Sequence, residues 1–179
     1  MASANITEDI PEKAGIYDIN RFIATLMLFD DPDIEFGESQ FNIKADNRKV
    51  RYKYAAENMI VTPPDKDLQL PEPEATVKVS WSELDNIIKA ASVLDNRDIA
   101  FIAEDGTIRI SAMNVKTPEE DQYSVVVAED VDCRDFRMVI QREYLKLLPN
   151  DYHIALTENG GAAHFKSSQV QYWIAVEAQ

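Results

Sequence analysis

Hydrophobic and polar positions along this chain switch repeatedly between two periods. "TVKVS" (76–80) alternates as a strand. Ser80 and Glu83 follow with the spacing of a capping box, and Leu84, Ile87, Ile88 and Ala91 fall on one face of a helix predicted over 81–93. "RDIAFIA" and "TIRISAM" return to strand, joined at Glu104-Asp105-Gly106, where Asp-Gly suits a tight hairpin. "QYSVVVA" (122–128) adds one more strand, so the order is β-α-β-β-β.

The same order occurs twice more. "GIY" leads into a helix predicted over 18–29, with Asp18 as N-cap and Ile19, Phe22, Ile23 and Leu26 as its apolar stripe. Strands follow at "DIEFG", "FNIKA" and "KVRYKYA". After residue 133, "RDFRMVI" leads into a helix predicted over 141–148 and stopped by Pro149. Tyr144, Leu145 and Leu148 share one face of that helix, and Arg142 and Lys146 the other. "YHIALT", "AAHFK" and "VQYWIAVEA" complete the unit, with Gly160-Gly161 turning the first hairpin. A unit of about 60 residues cannot bury its helix stripe and sheet face alone, so units should pair. "PPDKDLQLPEPEA" (63–75), with four prolines, reads as an extended linker. The expected division is 1–61, a connector at 62–74, and a complete two-unit domain at 75–179. The class is α+β, with helices 81–93 and 141–148 side by side on one face of antiparallel sheets.

Charge narrows the partners. Eighteen Lys+Arg against 32 Asp+Glu give a net charge of −14, which argues against non-specific affinity for nucleic acid or anionic membrane. Yet each predicted helix carries a cation opposite its apolar stripe: Arg21 on the first, Lys89 with Ser82 and Asn86 on the second, Arg142 and Lys146 on the third. Surface helices commonly carry Lys and Arg for solubility. Aligned side by side, however, these would form a shallow positive strip suited to phosphates rather than to base edges. The single cysteine, Cys133, excludes an internal disulfide framework and suits a reducing compartment. No apolar run approaches the roughly 20 residues of a membrane span, and the first residues lack a signal peptide's pattern, so a cytoplasmic location is expected.

Catalytic chemistry finds little support. His153 and His164 lie in strand patterns without a further ligand at metal spacing, and Cys133 sits among acids that would raise its pKa. "DDPD" (30–33) lacks the calcium-loop pattern and reads as a turn, and neither a phosphate loop nor a nucleophile elbow occurs. "KADNRKVRYKY" (44–54) could stack single-stranded bases on Tyr52 and Tyr54. Strand geometry instead puts Val50, Tyr52 and Tyr54 on one face and Arg51 and Lys53 on the other, the pattern of a half-buried edge strand. No catalytic residue, metal ligand or cofactor is assigned, and a non-enzyme is expected. The alternative to a DNA role is a non-catalytic β-rich protein-interaction module.

"GIYDINRFIATLMLFDD" near the start and "NGGAAHFKSSQVQYWIAVEA" at the end resemble T4-type bacteriophage DNA polymerase sliding clamps. In that family an Ile-Tyr-Asp-Leu stretch opens a helix, and a Gly-Ala-Ala-x-Phe hairpin precedes a terminal strand ending in Leu-Glu-Ala. The middle of the chain resembles the family in element order and in "DGTIRI". The resemblance implies the DNA-clamp fold: β-α-β-β-β units paired into two domains per subunit, three subunits closing a ring, and helices lining the hole. It assigns Arg21, Lys89, Arg142 and Lys146 to the DNA-facing lining. It makes strands 50–56 (Val50, Tyr52, Tyr54) and 122–128 (Tyr123, Val125, Val127) the subunit interface. A partner pocket is expected near Leu68 and Leu70. The implied partners are duplex DNA held by topology, the replicative polymerase and an ATP-dependent clamp loader, in the cytoplasm of an infected bacterium. Residues 5–20 match the region just after the family's first unit. The expectation is therefore a truncated or misassigned reading frame, with 1–61 the second half of an N-terminal clamp domain. Its apolar helix would be partly exposed, and a two-fold dimer of orphan units is expected in place of the family's homotrimer.

Overall fold

The computed structural model describes residues 1–61, 70–158 and 161–177. In chain order its elements are β1 (Ala2–Ala4), α1 (Ile19–Leu26), β2 (Asp33–Phe36), β3 (Gln40–Ala45), β4 (Arg48–Lys53), β5 (Ala75–Val79) and α2 (Trp81–Val93). β6 (Asp98–Glu104), β7 (Thr107–Met113), β8 (Tyr123–Ala128), β9 (Phe136–Gln141), β10 (Tyr152–Leu156), β11 (Ala162–Lys166) and β12 (Val170–Ala175) follow. They form two compact units: Met1–Asn5 with Asp67–Gln179, and Ile6–Lys66.

The larger unit is two repeats that trade their first strands. β5 opens the first repeat but pairs with β10 of the second, and β9 opens the second but pairs with β6 of the first. The antiparallel sheets are therefore β8-β7-β6-β9 and β1-β12-β11-β10-β5. Neither repeat can complete its sheet without the other, which is the physical reason the repeats fold as a pair. The pleat sends alternate side chains inward: Ala75, Val77 and Val79 are buried on β5, while Thr76 and Lys78 are exposed. They meet Leu84, Ile87, Phe101, Ile110, Met138, Ile140, Ile154 and Phe165 in one core.

Local signals fix the ends of these elements. The Ser80 hydroxyl accepts from the Glu83 amide while the Glu83 carboxylate accepts from the Ser80 amide at 3.1 Å, completing the capping box. The β6–β7 hairpin turns through Asp105 (φ 49°) and Gly106 (φ 73°), consecutive left-handed residues of the kind a two-residue turn requires. Gly161 also has positive φ (70°), whereas Gly160 lies outside the described residues. The sequence gives no sign of β1, which extends the second sheet by pairing with β12.

The predicted helix 141–148 does not form. Residues Arg142–Tyr144 make a single 3₁₀ turn, and Leu145 leaves the helical region at φ −83°, ψ 52°. Eight residues closed by a proline are too few to nucleate a helix without a cap, and the Gln141 side chain supplies none. Leu145 is buried in the core. Tyrosine hydroxyls claim the end of the segment: Tyr152 donates to the Leu148 carbonyl at 2.6 Å, and the Leu148 amide donates to Tyr172 at 3.2 Å. Burial pushes the Tyr152 phenol up to about 12, so it serves as a neutral donor across the physiological range.

Among the described residues the smaller unit has α1, a 3₁₀ turn at Glu57–Met59 and the sheet β2-β3-β4. The Asp18 carboxylate caps α1 through the Arg21 amide at 2.9 Å. α1 ends at Leu26, short of the predicted residue 29, and Phe29 beyond it turns into a small core with Phe41 and Ile43. Phe22, Phe36, Tyr52 and Tyr54 ring Phe41, with Phe22–Phe41 and Phe41–Tyr54 centroids 5.0 and 4.7 Å apart. No residue of α1 itself is fully buried.

Candidate nucleic-acid interface

The geometry of α2 follows from its two periodicities. Leu84, Ile87 and Ala91 face the core, so Ser82, Asn86, Lys89 and Val93 are set on the solvent side. The Lys89 ammonium lies 2.5 Å from the Asp85 carboxylate one turn earlier, with the lysine side chain 70% exposed. The pair is legible in the sequence as an i, i+4 spacing. It leaves this face near electrical balance.

Arg142 and Lys146, expected together on the back of a helix, are separated by the absence of that helix. Lys146 is exposed. Arg142 is half-buried and donates from Nη1 to the Ala91 carbonyl at 2.6 Å, near the C-terminal end of α2. There its charge meets the negative end of the helix dipole. Its expected solvent-facing position is corrected to a brace between the 142–148 segment and α2. On α1, Arg21 is exposed, and among the described residues it has no ion-pair partner.

The strands proposed as interfaces are both sheet edges: among the described residues, nothing pairs with the outer side of β4 or of β8. β4 stops at Lys53, so Tyr54 and the rest of the predicted 50–56 strand lie beyond it. Val50, Tyr52 and Tyr54 turn inward onto the aromatic core, and Val125 and Val127 pack inward on the larger core. Tyr123 is 39% exposed, and Val126, which was not singled out from the sequence, is 49% exposed. A partner at either edge would therefore meet backbone and outward side chains. On β4 those are Arg48, Lys49, Arg51 and Lys53; around β8 the exposed flanks are Glu119, Glu120, Asp121, Glu129 and Asp130. One edge is basic and the other acidic. Next to β4, Arg21, Arg51, Lys53 and Tyr17 line a recess of about 560 Å³.

Leu70 is half-buried, and Leu68 lies outside the described residues. The histidines have ordinary structural surroundings: His164 stacks on Trp173 at 4.8 Å and bonds Gln171 at 3.0 Å, and His153 is exposed. Among the described residues no group of His, Cys, Asp or Glu could hold a metal ion. Sequence reasoning also missed an electrostatic clasp in which Arg134 Nη2 reaches Glu74 at 2.8 Å and Glu158 at 2.7 Å. These residues precede β5 and β9 and follow β10, and no short-range spacing could have revealed the trio. Burial would raise the Glu74 pKa, but hydrogen bonds from Arg134 and from the Glu158 amide outweigh it and hold the carboxyl below its usual value.

A family model described as "gp45 sliding clamp, C terminal" matches residues 76–178. Across 184 residues the chain is 32% identical to the sliding clamp of Escherichia phage RB69, a match covering 99% of this chain and 80% of the relative. It is 30% identical over 185 residues to the sliding clamp of Enterobacteria phage T4, with the same coverage. Among solved structures, one of the C-terminal region of FEN-1 bound to A. fulgidus PCNA is similar with a TM-score of 0.66 at 17% identity, covering 90% of this chain and 71% of that one. The DNA polymerase III subunit beta of Pseudomonas aeruginosa matches with a TM-score of 0.63 at 11% identity, over 89% of this chain and 46% of the other. At such identities these two likenesses speak to fold alone.

Proposed function

The chain belongs to the gp45 sliding-clamp family, and from that premise we propose how its parts do a clamp's work. It is a DNA sliding clamp, a non-catalytic processivity factor of phage replication that holds a polymerase to duplex DNA. The observation that carries the mechanism is the pair of complementary open edges, basic β4 and acid-flanked β8. We infer that β4 of one subunit pairs with β8 of the next, head to tail. Such heterologous contacts close into a ring when the rotation per subunit allows it. A closed ring is retained by topology, so the DNA-facing side needs only weak phosphate contacts. Lys89, Lys146 and Arg21 fit that role; Arg142 acts chiefly by positioning.

An ATP-dependent loader is required on this reading, because a closed ring cannot thread onto DNA that lacks an accessible end. The polymerase would dock on an outward cleft near Leu68 and Leu70. The work is done in the cytoplasm of the infected host. The alternative, an interaction module with no DNA role, has no observation in its favour.

The test is salt dependence. Each phosphate contact contributes about 0.9 to the slope of log K against log salt. Reversing Lys89 and Lys146 to Glu together should flatten the slope by about 2 and reduce clamp-dependent synthesis, with the fold intact because both are exposed. An unchanged slope and unchanged synthesis would remove these lysines from the DNA-facing surface.

A further inference from the structure

Three unpaired cations of the smaller unit converge on one recess. Lys44 and Arg48 lie against Glu35 and Asp46. Arg21, Arg51 and Lys53 have no ion-pair partner among the described residues; all three are exposed and line the recess of about 560 Å³ beside β4, with Tyr17 and Tyr52. Asp18, the acid among the lining residues, is committed to the α1 cap. The walls are tied together, since Tyr52 donates to the Asp18 carbonyl at 3.2 Å and packs edge-on against Phe22 with ring centroids 5.1 Å apart. The larger unit holds a counterpart. Ahead of β8 the Asn114 carbonyl accepts from the Thr117 amide, and the Thr117 carbonyl from the Glu120 amide, each at 3.1 Å. The Asn114 side chain donates to the Glu120 carboxylate at 2.6 Å, and the fully buried Asn96 amide anchors the Asp121 carbonyl at 2.9 Å. Glu120 is thus occupied, whereas the exposed carboxylates of Glu119 and Asp121 have no partner among the described residues.

We propose that the acidic 119–121 knob of one subunit seats in the Tyr17–Arg21–Arg51–Lys53 recess of the next, so that charge chooses the direction in which the ring closes. The inference rests on the pairing of β4 with β8 and names the side chains that orient it. Every strand pair among the described residues is antiparallel. An antiparallel β4–β8 ladder brings Lys53, at the end of β4, to Tyr123, at the start of β8. Val50 and Tyr52 face the small core and Val125 the large one, so only two-residue steps in register keep the inner faces on one side. The step that sets Val50 across from Val125 sets Asp121 across from Tyr54, a lining residue of the recess. A parallel ladder would bring Glu129 and Asp130 there instead. Two β4 edges would oppose cations to cations, and two β8 edges acids to acids, so charge rejects both self-pairings. The ladder and the apolar inner faces hold the subunits together; knob and recess decide which edges meet.

Charge reversal and its repair give the test. In sedimentation of the full chain, Glu119→Lys with Asp121→Lys should weaken self-association at least about tenfold, as should Arg51→Glu with Lys53→Glu. Carrying both reversals in one chain should restore it, the mark of a direct contact. These residues are exposed, so circular dichroism should show the fold kept. A carbodiimide, which joins an amine to a carboxylate in contact with it, should link Lys53 of one chain to Asp121 or Glu119 of another. Hydrogen exchange reports the ladder separately: amides of β4 and β8 should gain protection as the chain associates. Protection that appears while the reversals leave association unchanged would overturn the knob and keep the ladder. So would reversals that fail to repair each other, or a link from Lys53 to Glu129 or Asp130. Association without protection of β4 and β8, or a chain that is monomeric at every concentration, would overturn both.

Discussion

α1 and α2 are the same idea in two settings. Each begins at a side-chain cap, Asp18 or Ser80, and each carries an apolar stripe at helical spacing. α2 runs thirteen residues and buries Leu84, Ile87 and Ala91 completely; α1 runs eight and buries none. The difference lies less in the helices than in what faces them. α2 packs on β7 and β8 of a sheet laced to a second one by exchanged strands, whereas α1 rests beside one three-stranded sheet with a core of Phe29, Phe41 and Ile43. An apolar stripe encodes a demand for burial, and a mate decides whether it is met.

Local stability should separate the two regions most widely. Amides of β6 and β7, deep in the larger unit, should exchange with solvent at least about 1,000-fold more slowly than those of β2, since sub-global opening spans the range from near zero to the full unfolding free energy. Comparable protection in both would break the comparison. Next in size is a paired truncation. Leu84→Ala should cost about 2–5 kcal/mol in urea unfolding followed by tryptophan fluorescence. Ile19→Ala, measured by circular dichroism at a concentration where the chain is monomeric, should cost less than about 1 kcal/mol. Below that comes the cap: Ser80→Ala should remove about 1 kcal/mol from the larger unit. Asp18→Ala should instead fray α1 locally, visible as lost helical signal with unchanged tryptophan unfolding.

The smallest effect is electrostatic and confined to the larger unit. The Glu74 carboxyl is held below its usual value of 4.5 in the folded chain. A depressed folded pKa contributes stability that is fully present above the unfolded value and lost as pH falls through the folded one. The urea midpoint should therefore decline below about pH 4.5, and Arg134→Ala or Glu74→Gln should flatten part of that decline. The arginine is 54% exposed, so solvent screens the gain and the change will be modest. An acid limb that neither substitution alters would show that the clasp is unimportant to folding.

What the residues revealed in advance follows the range of each signal. Capping boxes, Asp-Gly turns and inward-outward alternation are local, and α2, the β6–β7 hairpin and the inward set on β5 were legible for that reason. The family likeness was legible through collinear stretches at both ends of the chain. The trading of β5 and β9 was not, because a strand's pattern states which side is buried and not which neighbour it pairs with. Helix 141–148 was misread because Tyr144, Leu145 and Leu148 fit a helical stripe, while the groups that undo it, the Tyr152 and Tyr172 hydroxyls, arrive from strands further along the chain. Arg142 failed with it: its partner, the Ala91 carbonyl, is 51 residues away. Lys89 lies on the outer face of α2, where its spacing from the apolar stripe puts it, and its i, i+4 spacing from Asp85 encodes the ion pair.

The central claim is that this chain is held on DNA by encirclement and not by affinity. Its most direct test is retention on a plasmid before and after a single cut, with polymerase absent and the chain loaded by the ATP-dependent loader proposed for it. On a closed or nicked circle the protein should remain bound through gel filtration at high salt, since the few cations proposed to face DNA contribute little and topology does the holding. After one restriction cut it should run off the ends and elute free. Retention that survives linearisation, or that high salt abolishes on the intact circle, would show binding by charge and contradict the account.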